Sequence, residues 1–80
     1  MSTQRVVDVR DDIRRGEEPF DRIMGAVASL GDGEELVILN LFEPVPLYGV
    51  LGQQGFSHET ARTPEGDWCI TFRRGAINQG

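Results

Sequence analysis

The sequence predicts a two-layer α/β (α+β) sandwich with the element order β-α-β-α-β-β, in which two helices lie on one face of a mixed four-stranded sheet. Three observations predict this class: an apolar stripe at helical spacing, a continuous hydrophobic run, and two alternating segments near the end of the chain. Because crossovers between parallel strands are right-handed, both helices should pack on the same face of the sheet.

The first strand and the first helix are predicted early in the chain. The β-rich run 5–9, Arg-Val-Val-Asp-Val, predicts a strand, and the charged segment 10–18 is interpreted as a polar connection. Pro19 suits a first helical turn, and the two glutamates before it suit the positive end of the helix dipole. This helix should end at 31–33, Gly-Asp-Gly. Its apolar stripe, at offsets of 0, 3, 4, 7 and 10, consists of Phe20, Ile23, Met24, Val27 and Leu30.

The second strand and the second helix flank a proline-rich turn. The most hydrophobic run, 36–39 (Leu-Val-Ile-Leu), predicts a strand over 36–41 that is central or covered on both faces. Pro44 and Pro46 favour extended backbone before them, and Pro46 suits the first turn of a helix that Gly55 ends. Two glycines within this helix each weaken it by ~1 kcal/mol relative to alanine, so we expect packing to hold it.

The last third of the chain predicts a β-hairpin. Alternating strands span 56–62 and 68–74, and residues 63–67, Thr-Pro-Glu-Gly-Asp, form the turn between them. One face of the hairpin carries Phe56, His58, Thr60, Arg62, Trp68, Ile70 and Phe72. The other face, which we expect to be open to solvent or to a partner, carries Ser57, Glu59, Cys69, Thr71 and Arg73.

The composition is that of one small domain, predicted over 5–74 with flexible tails at 1–4 and 75–80. A net charge of −5, from 13 acidic and 8 basic residues, disfavours binding to nucleic-acid phosphates. The apolar runs are too short to span a membrane and no signal-peptide pattern is present, so we expect a cytoplasmic protein without membrane contact. One cysteine and one histidine disfavour a disulfide framework and a Cys/His zinc site, and no metal or cofactor is predicted.

One stretch of the chain carries a family resemblance. The run 40–48, Asn-Leu-Phe-Glu-Pro-Val-Pro-Leu-Tyr, together with Gly33-Glu34, Gly55-Phe56 and Trp68, resembles the DUF2249 family. These are small prokaryotic domains related to the sulfur-carrier fold of TusA and SirA. The similarity covers roughly Val6 to Arg74. It implies a sheet order of 1-2-4-3 with strand 4 antiparallel.

The resemblance also implies which chemistry to look for. TusA-like sulfur carriers use a cysteine in a Cys-Pro-x-Pro motif at the start of the first helix, where the helix amino terminus lowers the thiol pKa. Alignment on Pro19 places Gly16 at that cysteine position. Some DUF2249 relatives carry a histidine in the Pro-x-Pro turn, where this chain has Phe42.

Candidate binding residues lie in two connections that should meet at the carboxyl ends of adjacent parallel strands, where open α/β sheets usually bind ligands. The first connection contributes Arg10 as a candidate binding residue. Two helix amino termini would converge there, and a small anion would suit them together with Arg14 and Arg15. Alternatively, these arginines form a solvated charge run balanced by neighbouring carboxylates. The second connection contributes Asn40, Phe42, Glu43 and Tyr48.

Several of these residues have two interpretations. Glu43 is an acid, a base or a ligand, or it caps the following helix or bonds its own backbone. Phe42 and Tyr48 form an apolar patch suited to a protein partner, or both fold inward over the core. Cys69 is redox-active or an inert packing residue. His58 is a partly buried structural residue, or a metal ligand whose site needs carboxylates from a second chain.

Two functional hypotheses follow. In the first, the chain is a non-catalytic binding or accessory module that contacts a partner protein or a small anion through residues 10–19 and 40–48. In the second, it is a sulfur-carrier or redox-related protein that uses Cys69, with Gly16 in place of the usual sulfur-transfer cysteine. Both leave the oligomeric state open.

Overall fold

The computed structural model describes residues 3–74, which form four strands and three helices. In chain order these are β1 (Thr3–Asp8), α1 (Arg10–Arg14), α2 (Phe20–Ala28), β2 (Glu34–Asn40), α3 (Val45–Gly52), β3 (Phe56–Arg62) and β4 (Trp68–Arg74). The sheet order is β1-β2-β4-β3, with β1 parallel to β2 and β4 antiparallel to β2 and β3. The predicted sandwich on a mixed four-stranded sheet is therefore confirmed, in the strand order that the resemblance implies.

The predicted polar connection over 10–18 is wrong in its first half, which forms the short helix α1. Two aspartates in its first turn and an arginine in its last turn match the helix dipole. Gly16 follows the helix with a φ of +74°, and its N–H donates to the Ile13 carbonyl at 3.0 Å, as in a glycine-terminated helix. Ile13 is the one apolar residue of α1, so no apolar period marks the helix in the sequence. The element order is β-α-α-β-α-β-β.

Strand β1 begins earlier than predicted. Thr3 and Gln4 pair with the first residues of β2, so they belong to the sheet. The predicted flexible tail over 1–4 is wrong for these two residues. Residues 1–2 and the second predicted tail, 75–80, lie outside the described residues.

The other predicted elements are present with small shifts at their ends. Helices α2 and α3 occupy the predicted positions, and β2 is seven residues long. The hairpin strands and the five-residue turn between them have the predicted bounds. Among the described residues, no helix is both long enough and apolar enough to cross a membrane.

The core lies between the helices and one face of the sheet. Strand β2 is an interior strand, and its helix-facing residues Leu36 and Ile38 are fully buried. Helix α3 contributes Leu47 and Leu51, whose burial holds it in spite of its glycines. The buried cluster also contains Val7, Val9, Ile23, Val27, Phe56, Ile70 and Phe72.

The opposite face of the sheet carries no helix from the described part of the chain. Ser57, Glu59 and Arg73 are exposed there, and Cys69 and Thr71 are half-buried, so the predicted open face is present. Arg73 ties the strands of this face together, because its guanidinium donates to Glu35 at 2.6 Å and to Glu59 at 2.9 Å.

Candidate functional site

A groove of about 330 Å³ opens at the carboxyl ends of β1 and β2, between the segments that lead into α2 and α3. This is the place where the two predicted connections meet. Of the predicted binding residues, Asn40 and Phe42 line the groove, whereas the other five do not. The full lining is Ile13, Glu17, Glu18, Pro19, Phe20, Ile23, Asn40, Phe42, Pro44, Pro46, Leu47 and Val50.

Two phenylalanines of the groove are half-exposed. Phe20, the first residue of α2, is 42% exposed, and Phe42, in the β2–α3 connection, is 50% exposed. Ile23, one turn after Phe20 on the same stripe, is buried. At the start of the helix, the apolar stripe therefore lies in the groove wall, at Phe20, and not in the core. Apolar side chains that stay accessible in a concave, apolar site are typical of binding surfaces.

Asn40 is the most deeply buried polar residue of the groove, with 3% of its surface exposed. It is the last residue of β2. Its Oδ1 accepts a hydrogen bond from the N–H of Leu41 at 2.8 Å, which identifies the other end of the amide as the donor Nδ2. No residue within 3–74 accepts a hydrogen bond from Nδ2. Within residues 3–74, the Asn40 amide therefore has a donor with no protein acceptor.

Two carboxylates add negative charge to the groove. Glu17 Oε1 accepts from Arg15 at 2.9 Å, so part of its charge is neutralised. Glu18 Oε1 accepts from the backbone N–H of Phe20 at 2.9 Å, which places its charge at the positive end of α2. In the described residues no arginine lies within 4 Å of the Glu18 carboxylate. The helix terminus that was a candidate for anion binding is therefore occupied by a carboxylate of the chain itself.

The arginines predicted to bind an anion are each paired with carboxylates. Arg14 pairs with Asp11 at 2.8 Å, and Arg15 pairs with Glu17 and, at 3.7 Å, with Asp12. The buried Asp12 also accepts from Arg22 at 2.7 Å. These contacts match the alternative of a balanced charge run.

Arg10 has a structural environment of its own. It donates to both carboxylate oxygens of Asp8, at 2.9 and 2.8 Å, and to Asp67 at 3.0 Å, so it links the end of β1 to the β3–β4 turn. The side-chain hydrogen bonds from Arg10 lower the pKa of Asp8 from 3.8 to about 2.

Glu43 does not cap α3. The residue before this helix is Pro44, and no side chain in the described part of the chain caps it. The Glu43 carboxylate instead accepts from the Tyr48 hydroxyl at 3.2 Å. The cap interpretation is therefore wrong, because the proline-rich turn leads the Glu43 side chain towards the middle of α3.

Tyr48 and Phe42 lie in different environments. The Tyr48 ring stacks on His58, with centroids 3.8 Å apart and planes at 4°, and it packs against the core. Its hydroxyl also lies 3.1 Å from Thr60 Oγ1. Burial raises the pKa of the Tyr48 phenol. Tyr48 thus folds over β3 while Phe42 stays in the groove, so the two residues form no common patch. His58 is exposed, although it was predicted to be partly buried.

The two positions linked to sulfur chemistry lie in different parts of the fold: Gly16 lies between α1 and α2, and Cys69 lies in the last strand. Gly16 follows the carboxyl end of α1, where the helix dipole is negative. Cys69 is half-buried in β4, opposite Leu39 and Ala61 on the open face of the sheet. The groove and Cys69 therefore belong to opposite layers of the molecule.

Several groove residues were not among the predicted site residues. Ile13 belongs to the helix without a periodic signal, and Phe20 and Ile23 were assigned to the core stripe. The signal that points to Phe20 is its position, since an apolar residue at the first turn of a helix lies at the end of the core. Among residues 3–74, no three histidine, cysteine, aspartate or glutamate side chains are grouped closely enough to hold a metal ion.

Comparison with known proteins identifies the family. The family model described as "Uncharacterized conserved protein (DUF2249)" matches residues 6–74 of this chain. A search of the curated proteins found no match, and a search of the solved structures also found none. The matched range includes the whole groove and all of the sheet except the first three residues of β1. The chain therefore belongs to the DUF2249 family.

Proposed function

We propose that this protein is a non-catalytic, TusA-like accessory module of the prokaryotic cytoplasm, and that it binds an apolar segment of a partner protein in the groove. The observation that carries the proposal is the pair of half-exposed phenylalanines, Phe20 and Phe42, in one apolar concave site. Aromatic anchors in such a site supply much of the affinity of protein interfaces.

Of the two predicted partners, a small anion has less support from the structure than a partner protein. Arg10, Arg14 and Arg15 are already bonded to carboxylates. At α3, both Pro44 and Pro46 lack an N–H, so the start of this helix offers few donors to an anion. The charge of the groove itself is negative. These contacts support a partner whose recognised part is apolar or cationic.

The test of the proposed function uses a double variant, Phe20→Ser with Phe42→Ser. We expect it to reduce capture of partner proteins from a prokaryotic lysate by at least about tenfold, because interface hot-spot aromatics contribute ~2 kcal/mol or more each. Captured proteins are identified by mass spectrometry and their affinities are then measured with purified components.

The matched control is Val6→Ser. Val6 is 57% exposed and lies on β1, with its side chain on the open face away from the groove. This variant removes a comparable exposed apolar group and should leave capture unchanged. Equal capture by the wild type and by the double variant, with both proteins folded, contradicts the proposal.

The sulfur-carrier or redox alternative rests on Cys69. Its support is that the thiol is only half-buried on a face that no described helix covers. A reactive thiol of this kind should be labelled by a disulfide reagent at neutral pH without denaturant, faster than a cysteine in an unfolded peptide. Labelling that requires denaturant contradicts the alternative.

A further inference from the structure

The groove contains a hydrogen-bond donor that the described chain does not satisfy. Asn40 is 3% exposed, and its Oδ1 is occupied by the N–H of Leu41. Nδ2 is therefore the end of the amide that an occupant of the groove can use. Buried donors in folded proteins are nearly always paired with a protein group or with ordered water, so this donor is available to an acceptor that a ligand brings into the groove.

The surroundings of Asn40 favour a neutral acceptor. The lining is apolar except for Asn40 and the carboxylates of Glu17 and Glu18, which repel an anionic group. A peptide carbonyl is a strong, neutral acceptor, and it comes with side chains that can fill an apolar groove. The donor and the apolar lining therefore fit a main-chain carbonyl better than they fit a carboxylate or a phosphate.

The charge of the groove indicates which residues flank that carbonyl. Glu18 has no arginine within 4 Å among the residues that the structure describes, and Glu17 shares Arg15 with Asp12. The chain as a whole has a net charge of −5. Arginine or lysine side chains next to the bound apolar residue would complement this charge, which favours fast and selective association.

We propose that the groove binds an extended peptide segment of the partner, whose main-chain carbonyl accepts a hydrogen bond from Asn40 Nδ2. A large apolar side chain of the segment packs against Phe20 and Phe42, and its basic neighbours pair with Glu17 and Glu18. The volume of about 330 Å³ suits one such side chain with its backbone. This inference rests on the proposed function and adds to it the chemistry of the recognised segment.

The experiment uses blocked nonapeptides in which a central residue, leucine, phenylalanine, tryptophan or alanine, is flanked by serine and arginine. A matched set has glutamate in place of arginine. Affinities for the wild-type protein, Asn40→Asp and Val6→Ser are measured by fluorescence anisotropy. We expect the arginine peptides with a large apolar centre to bind the wild type and Val6→Ser equally, and the alanine and glutamate peptides to bind more weakly.

Asn40→Asp is the informative variant. It keeps the acceptor for the N–H of Leu41 but replaces the Nδ2 donor with an oxygen that repels a carbonyl. We expect about tenfold weaker binding, the size of one lost hydrogen bond, although the added negative charge alone would strengthen binding of an arginine peptide.

A second measurement needs no variant. In the wild-type protein, the NMR resonance of one Nδ2 proton of Asn40 should move downfield as a binding peptide is added.

Three outcomes contradict parts of the proposal. If peptides bind the wild type and Asn40→Asp with equal affinity and the Nδ2 resonance does not move, the inference is overturned and the proposed function stands. If no peptide of either set binds the wild type, the proposed function is overturned together with the inference. Equal binding of glutamate and arginine peptides overturns the assignment of basic flanking residues.

Discussion

Arg10 was predicted to bind a ligand, but its contacts give it a structural role. Its guanidinium donates to both carboxylate oxygens of Asp8 and to Asp67, so a residue with the right charge for an anion site instead joins the end of β1 to the β3–β4 turn. Asn40 shows the reverse. It terminates a buried strand and lines the groove, and no residue within 3–74 accepts a hydrogen bond from its Nδ2. At this scale the proposed function depends on which polar atoms the chain itself leaves without a partner.

Asp8→Asn tests the Arg10 ion pair through its pH dependence. The pKa of Asp8 is lowered from 3.8 to about 2, so its stabilisation is fully present above 3.8 and is lost as the pH falls through about 2. The side chain is 45% exposed, so solvent screening limits the effect. At neutral pH we expect the variant to lose about 0.5–1 kcal/mol in urea unfolding.

The difference between wild type and Asp8→Asn should shrink towards zero near the lower end of that pH range. Asp32→Asn is the control, because Asp32 is exposed and has no ion pair within residues 3–74. A difference that grows on acidification contradicts the assigned pKa shift.

Tyr48 is a structural residue at the same scale. Its stacking on His58 and its hydroxyl contacts with Glu43 and Thr60 tie α3 to β3. Removal of Glu43 and Tyr48 together is therefore a stability change as well as a surface change, and it is a poor test of binding. Phe20 and Phe42 serve that purpose better, because they are half-exposed in the groove.

At the scale of elements, the turn chemistry decides where helices and strands end. Gly66 lies in the β3–β4 turn with a φ of +88°, and its N–H donates to the Thr63 carbonyl at 2.9 Å. Arg62 donates to the Gly66 carbonyl at 2.6 Å and also lies over the Trp68 ring. The hairpin therefore depends on a backbone conformation that favours glycine.

Two glycine-to-alanine changes should act in opposite directions. Gly66→Ala places a side chain at positive φ and should destabilise the protein by about 1–2 kcal/mol. Gly25→Ala, within α2, meets no atom within 4 Å and should stabilise it by about 0.5–1 kcal/mol through helix propensity. Denaturant midpoints at equal m-values measure both effects. Stabilisation by Gly66→Ala would contradict the positive φ.

At the scale of the whole molecule, the small core makes the protein sensitive to single cavities. Ile38 is fully buried on an interior strand. Ile38→Ala should cost about 2–5 kcal/mol, which is comparable with the ~3–5 kcal/mol that a core of this size supplies. We expect a largely unfolded variant by circular dichroism and by NMR dispersion.

Val45→Ala is the matched control for Ile38→Ala. Val45 is 57% exposed and lies outside the groove lining, so the variant should unfold close to the wild type. A cooperative transition of Ile38→Ala near the wild-type midpoint would show that the core collapses around the lost methyl groups or that it is more stable than its size indicates.

The two layers of the molecule separate the two functional hypotheses. The groove lies on the helix side, and Cys69 lies on the opposite face of the sheet. Variants of Phe20 and Phe42 should therefore leave Cys69 labelling unchanged. Because the two sites are separate, the binding hypothesis and the Cys69 hypothesis can be tested and rejected independently.

The sequence by itself determined the elements whose signal is local. The apolar stripe of α2, the hydrophobic run of β2 and the alternation of the hairpin follow from short-range periodicity, and their faces in the sheet follow from it too. Helix α1 was not predicted, because its five residues include one apolar side chain and therefore show no hydrophobic periodicity. The meeting of the two connections was also predictable, because parallel strands end at the same edge of a sheet.

Only the tertiary structure decided what the site contains. Three features of the site depend on segments that are far apart in sequence. Arg10 pairs with Asp67, and Tyr48 stacks on His58 while Phe42 stays exposed. Phe20 lies in the groove wall. The physical reason is that burial and pairing are properties of neighbours in space. The type of a residue determines which hydrogen bonds and ion pairs its side chain can form. The fold determines which of these are formed within the chain and which remain available to a ligand.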